Sequence, residues 1–206
     1  MNNDFCAGYS AGPSTTRGLI LGWLAQGARD VTWALCSLPR ERWAVEPPGS
    51  PGQWPALRHV RHLMLDETNL TLPAVRCVLG ELPLESLPPR AERQRADAAW
   101  DAAEALASAE ALVRNLGEVR FELLQRLEAA PDVDWERPLP SPLALAFGSH
   151  SQPARLEKLL LRAYAHQLEH LSAVWKLALY WDRSPPSIDR TVALSLQPAV
   201  RLEESH

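Results

Sequence analysis

The sequence predicts an all-α protein, a four-helix bundle, and three observations lead there. The 18 prolines are clustered, at 39–55, 83–89, 131–142 and 185–186, instead of being spread along the chain. Between the clusters lie long Ala- and Leu-rich stretches that favour helix. No stretch in those segments keeps up the two-residue alternation of a strand; only 191–200, TVALSLQPAV, reads as a short β-like or extended tail.

The first helix is expected over about residues 14–38. Ser14 follows Pro13 as a plausible N-cap, and Pro39 ends the run. The second opens at Trp54-Pro55, with proline at the first helical position, and continues to about residue 80, with a kink or early stop at Pro73. The third is read as one helix over about 91–130, with the seam Ala105, Ala109, Leu112, Leu116, Val119 and Leu123. The fourth spans about 153–181, capped near Ser151, with the inner face Leu156, Leu159, Ala163, His166, His170, Ala173, Val174 and Leu177. Four amphipathic helices of this length bury their apolar faces by packing together. The expected organisation is an N-terminal tail over 1–13, the bundle over 14–181 and an extended tail over 182–206, with Pro-rich linkers at 39–53 and 131–150.

Composition narrows the function classes. At 206 residues the chain suits one domain with a continuous core. A net charge of -4 argues against a nucleic-acid-binding surface. No apolar run nears the about 18 residues of a membrane span. The run 19–25, LILGWLA, is too short for one, and nothing before it reads as a signal peptide. Cys6, Cys36 and Cys77 form no CxxC and no disulfide framework, which suits a reducing cytoplasm. Most of the eight tryptophans are expected in the core or at helix contacts, with a pocket rim as the alternative.

Histidines carry the chemistry. His166 and His170 stand four apart in AYAHQLEHL, so both imidazoles leave the same helix face, inside the apolar stripe. An imidazole there needs a hydrogen-bond partner or a metal. The order H-Q-L-E-H is not the H-E-x-x-H of zincins: Gln167 holds the position of the zincin base, and Glu169 is turned about 100° from His170. On the second helix His59, His62, Asp66 and Asn69 share one side, and His62 is the candidate third ligand. Asp66 is placed to hold a ligand imidazole in one tautomer or to hydrogen-bond a metal-bound water. A solvated polar stripe remains the alternative for His59 and Asp66. His150 lies in a loop and His206 in the tail, and neither needs a role. Three neutral imidazoles suit Zn, Ni, Fe or Cu over Mg or Ca, and three protein ligands leave coordination positions open.

Several segments also resemble a known family. In residues 40–67, RERWAVEPPGSPGQWPALRHVRHLMLDE, Trp54 opens a helix, His62-Leu63 follows eight residues later, and Glu67 comes shortly after. Residues 127–140, LEAAPDVDWERPLP, are similar to an Asp-Trp-x-x-Pro linker, and 163–179, AYAHQLEHLSAVWKLAL, to a last helix with paired histidines. In this order they resemble the DinB-like (YfiT-like) superfamily over roughly 14–181. Trp-Pro stands here where that family more often has Trp-Ser, and the Pro73–Cys77 region and the tail after 182 have no counterpart in the pattern. The resemblance implies an up-down-down-up bundle, often dimeric, with His62, His166 and His170 as metal ligands. It also implies kinship with thiol-dependent S-transferases and isomerases, in which the metal lowers the pKa of a low-molecular-weight thiol.

Three functions follow as expectations. The leading one is a thiol-dependent S-transferase holding a divalent transition metal (Zn, Ni or Fe). It would act on a small-molecule electrophile, with Arg58 and Arg61 beside His62 to hold a carboxylate of the thiol. The second is a metal-dependent hydrolase, for which Asp66, Glu67 or His59 would be the general base. The third is a non-enzymatic stress-response or metal-binding bundle. A homodimer is expected from the resemblance, with Trp23 and Trp33 on the first helix as its surface.

Overall fold

Leucine, alanine and valine at helical spacing cover one side of each long segment, and these sides meet in the interior. The computed structural model describes residues 16–47, 52–131, 134–136, 138–140 and 155–183. The expected tails, the caps at Ser14 and Ser151, His150, His206, Cys6 and the extended segment 191–200 lie outside the described residues. Among the described residues every regular element is helical and there is no strand, apart from an isolated bridge between Pro138 and Arg155.

The elements are α1 (Thr16–Cys36), α2 (Ala56–Asp66), a π-helical segment (Glu67–Thr71), α3 (Leu72–Val78), α4 (Arg90–Ala98), α5 (Ala102–Ala107), α6 (Ala109–Ala129) and α7 (Leu156–Arg183), with short 3-10 turns at Arg40–Arg42 and Leu84–Ser86. Helix α1 packs on α7 and α6, and α2 packs on the same two. The predicted seams are largely the buried ones: Ala105, Ala109, Leu116, Val119 and Leu123 on one side, Leu156, Leu159, Ala163, Val174 and Leu177 on the other.

Two expected helices are interrupted. Pro73 does not stop the second helix. The chain runs through a π-helical turn at 67–71, where the Leu72 N–H reaches back to the Glu67 carbonyl, and then resumes as α3. The wider turn accommodates a proline that lacks an N–H and would crowd the carbonyl four residues earlier. Gly80, at φ 77°, then closes α3 in a Schellman motif: the Glu81 N–H bonds the Arg76 carbonyl at 2.8 Å and the Gly80 N–H bonds that of Cys77 at 3.1 Å.

The third expected helix is three helices. Asp101 turns extended, and its carboxylate accepts the Glu104 N–H at 2.8 Å, so DAAE starts a new helix. The carbonyls left free at the end of α4 are taken by Arg61, which donates to Ala96 O at 2.9 Å and Asp97 O at 3.2 Å. A second break at Ser108 separates α5 from α6, where its hydroxyl bonds the Glu104 carbonyl at 2.9 Å.

The core is two apolar clusters with a polar layer between them. One contains Leu24, Leu70, Leu123 and Leu160, the other Val31, Leu63, Leu116 and Val174. Between them in sequence on every long helix lie the residues with special roles: Gly27 on α1, Glu67 after α2, Arg120 on α6 and His166–His170 on α7. Gly27 is required by packing, since a Cβ there would sit 1.9 Å from Nε2 of the buried Gln167. Glu67 and Arg120 form a buried ion pair, and Arg120 also donates to Leu24 O at 2.9 Å, tying three elements together.

Candidate metal centre

Helix α2 carries His59 and His62 one turn apart, and α7 carries His166 and His170 one turn apart. The contact of α2 with α7 brings the four imidazoles together. Nε2 of His62 lies 3.1 Å from Nε2 of His166, which lies 3.0 Å from Nε2 of His170. These three residues can each offer a ligand atom within one shared space. Tetrahedral ligands about 2.0–2.1 Å from a zinc ion stand about 3.3 Å apart, so the donor set fits a late first-row divalent ion.

The opposite ring nitrogens fix how the imidazoles present themselves. His62 Nδ1 meets Asp97 Oδ1 at 2.7 Å. His166 Nδ1 faces Asp66 Oδ2 at 3.6 Å. His170 Nδ1 meets His59 Nδ1 at 2.8 Å. One set of tautomers suits all three: Nδ1–H of His62 and of His170 donates outward, that of His166 faces the Asp66 carboxylate, and each Nε2 lone pair points inward. His59 then accepts at Nδ1 and carries its proton on Nε2, an atom buried without a hydrogen-bond partner among the described residues. Outward partners of this kind orient metal-ligating histidines and raise their basicity.

Electrostatics agree with this arrangement. Burial, with the neighbouring His166, His62 and His59, pushes the His170 imidazole down to about 3. Burial, then His62 and Arg58, lowers His59 to about 4. Both are therefore neutral at pH 7, as a ligand and its acceptor must be. The Asp66 carboxylate facing its Nδ1 raises His166. Burial of Asp66 works to raise its carboxyl, but His166 and the other nearby cations prevail and lower it. Thr71 stands 3.5 Å from the same carboxylate, five residues on, a spacing that the π-helical turn brings together.

Trp54 roofs the cluster, its ring centroid 5.3 Å from that of His62, 5.4 Å from His59 and 6.1 Å from His170. On the open side is a cavity of about 480 Å³ lined by His62, Asp66, Leu70, Arg162, His166 and Glu169, among others. A smaller one of about 170 Å³ shares His62, Asp66 and Leu70 and continues to Asn69, Arg90, Arg93 and Asp97.

The residues expected from sequence divide in this geometry. His62, His166, His170, His59 and Asp66 come together, and His59, only 9% exposed, is no part of a solvated stripe. Glu67 does not line the cavity, because it is buried against Arg120. Arg58 stacks its guanidinium 4.4 Å from the Trp54 ring, and Arg61 caps α4, so neither lines a cavity. Glu169, set aside on helix phase, does line the larger one. The inward-facing side chain of the HQLEH segment is Gln167, at 2% exposure, with the two histidines half-buried at the edge of the stripe. Asp97 was not expected. The one local signal for it was the DAAE cap that ends the preceding helix.

A family model for the DinB superfamily matches residues 24–174, which includes all three candidate ligand histidines and Asp97. The chain belongs to the DinB superfamily. In this DinB-superfamily chain the match begins within α1 and ends within α7, so it covers every helix contact that builds the centre. No curated protein and no solved structure matches the chain.

The linker that resembles Asp-Trp-x-x-Pro has a structural task. The Trp135 carbonyl accepts the Glu157 N–H at the start of α7 at 3.1 Å. Its ring lies 5.2 Å from the guanidinium carbon of Arg17, which in turn donates to Leu127 O at the end of α6. The linker thus joins the end of α6, the start of α1 and the start of α7.

Proposed function

We propose that this DinB-superfamily chain is a metal-dependent enzyme for small molecules, with His62, His166 and His170 as ligands. What carries this reading is the pairing of every outward Nδ1 with its own partner while the three Nε2 atoms converge. A divalent zinc, nickel or iron ion bound there supplies a positive charge that lowers the pKa of a thiol or water beside it. Asp97, Asp66 and His59 hold the imidazoles in the ligating tautomer. Trp54 keeps water from one side of the cluster, and the cavity on the other side admits the reactants. The reaction proposed is transfer of a low-molecular-weight thiol to an electrophile in that cavity. The bundle is proposed to run up-down-down-up.

Metal analysis of the purified protein, before and after reconstitution, tests the centre. About one ion per chain is expected, falling in His166→Ala; no bound metal in either preparation rejects the enzyme reading and leaves the non-enzymatic one. Glu169 favours a second reading, since a carboxylate on the cavity wall is placed to take a proton from water during hydrolysis. Turnover of activated esters without added thiol selects hydrolysis, and turnover of electrophiles that requires thiol selects transfer.

A further inference from the structure

The smaller cavity is lined by two arginines that form no salt bridge among the described residues. Arg90 and Arg93 lie one turn apart on α4 and both line it, with Asn69 and Gln94. The Arg90 side chain makes no hydrogen bond or ion pair among the described residues, and Arg93 donates one Nη1 bond to Pro88 O at 2.9 Å. Two carboxylates also line the cavity, but each faces an imidazole: Asp97 holds His62 and Asp66 faces His166. Burial of Arg93 lowers its pKa, and Arg90 adds to that while Asp66 opposes it. Arg90 is exposed and Arg93 half-buried, so both guanidinium groups are open to an anion entering the cavity.

We propose that Arg90 and Arg93, with Asn69 and Gln94, form a subsite for the carboxylate of the small molecule whose reacting atom sits at the three-histidine centre. The proposal rests on the enzyme reading above for the identity of that molecule. The two cavities share His62, Asp66 and Leu70 in their walls, so they lie side by side at the centre. The volume of about 170 Å³ takes a short carboxylate arm. A planar guanidinium matches a carboxylate with two parallel hydrogen bonds, and the neighbouring side-chain amides offer further N–H donors. Arg58 and Arg61, expected from sequence in this role, are held by Trp54 and by the α4 carbonyls.

The test compares acids with their uncharged amides. Dissociation constants are measured for 3-mercaptopropionate and 3-mercaptopropionamide on the zinc-loaded full-length protein, and for glutarate and glutaramide on the metal-free protein. The acid is expected to bind about tenfold or more tightly than its amide. Arg90→Gln and Arg93→Gln should each remove most of that advantage while the affinity for the amide and the zinc content stay the same. Equal affinities of acid and amide in the wild type, or an advantage retained in Arg90→Gln, would overturn the subsite. Tighter binding of methyl phosphate than of glutarate would overturn the carboxylate assignment. Failure to bind zinc would end the enzyme reading alone, because the glutarate measurement still decides the subsite.

Discussion

Asp97 Oδ1 lies 2.7 Å from His62 Nδ1, joining α4 to α2 across 35 residues of sequence. The contact exists because α4 ends there: Arg61, one residue before His62, takes the Ala96 and Asp97 carbonyls, and Asp101 restarts the helix. Removing the carboxylate frees the His62 ring to turn and to exchange tautomers. Asp97→Ala is therefore expected to weaken zinc binding by about 10–100-fold, as loss of an outward partner typically does. Competition with a chromogenic chelator measures it. Unchanged zinc affinity in a folded variant would show that Asp97 is an ordinary surface acid.

Acid should unfold the metal-free protein earlier than its carboxylates alone would. The His170 and His59 imidazoles are held near 3 and 4 in the folded state, against about 6.5 unfolded. Between those values the unfolded chain binds more protons, so stability falls as pH drops below about 6.5 and goes on falling toward pH 4. Each group contributes at most about 1.4 kcal/mol per pH unit. His166 acts in the opposite sense: its raised pKa adds stability below about 6.5 that is lost as pH rises through its folded value. Urea midpoints of the chelator-stripped protein from pH 7.5 to 4.5 should show the net fall. His59→Ala and His170→Ala should flatten it, and an equal slope in both variants would contradict the assignment.

Glu67 and Arg120 are expected to matter for folding. Their ion pair is buried at 3% exposure for each residue, and Arg120 also secures Leu24 of α1. Glu67→Gln or Arg120→Met leaves a charge buried without its counterpart, a loss of about 3–5 kcal/mol. The double variant Glu67→Leu with Arg120→Met should recover most of it. Zinc bound per folded molecule should stay the same throughout. A folded Glu67→Gln that keeps full stability but loses turnover would instead restore a catalytic task to Glu67.

The dimer implied by family resemblance is proposed to form on α1 and α7. Trp23 and Trp33 of α1 are 42% and 66% exposed, and Leu168 and Leu179 of α7 are 41% and 55% exposed. Trp23 stacks on Tyr164 and Trp33 meets Trp175 edge-on, so the two helices share one apolar outer face. Sedimentation at micromolar concentration should give a dimer. Trp33→Glu should shift it to monomer with its zinc content intact, and a wild-type monomer would remove the interface.

Local periodicity determined what depends on one helix at a time. Spacing by four set His166 and His170 side by side, clustered prolines bounded the helical regions, and the 3.6-residue repeat marked the seams that became the two apolar clusters. His62 was legible through Trp54, eight residues before it, which roofs the cluster. Contacts between helices were decided only by tertiary structure, because they depend on where a helix breaks and which face it then presents. Asp97 reached His62 through the break at Ala99–Asp101. Glu67 was drawn to Arg120 by a π-helical turn that no apolar repeat records. His59 met His170 because α2 packs on α7. The three histidines were readable from the sequence as candidate ligands; the partners of their outward nitrogens came from other turns and other helices.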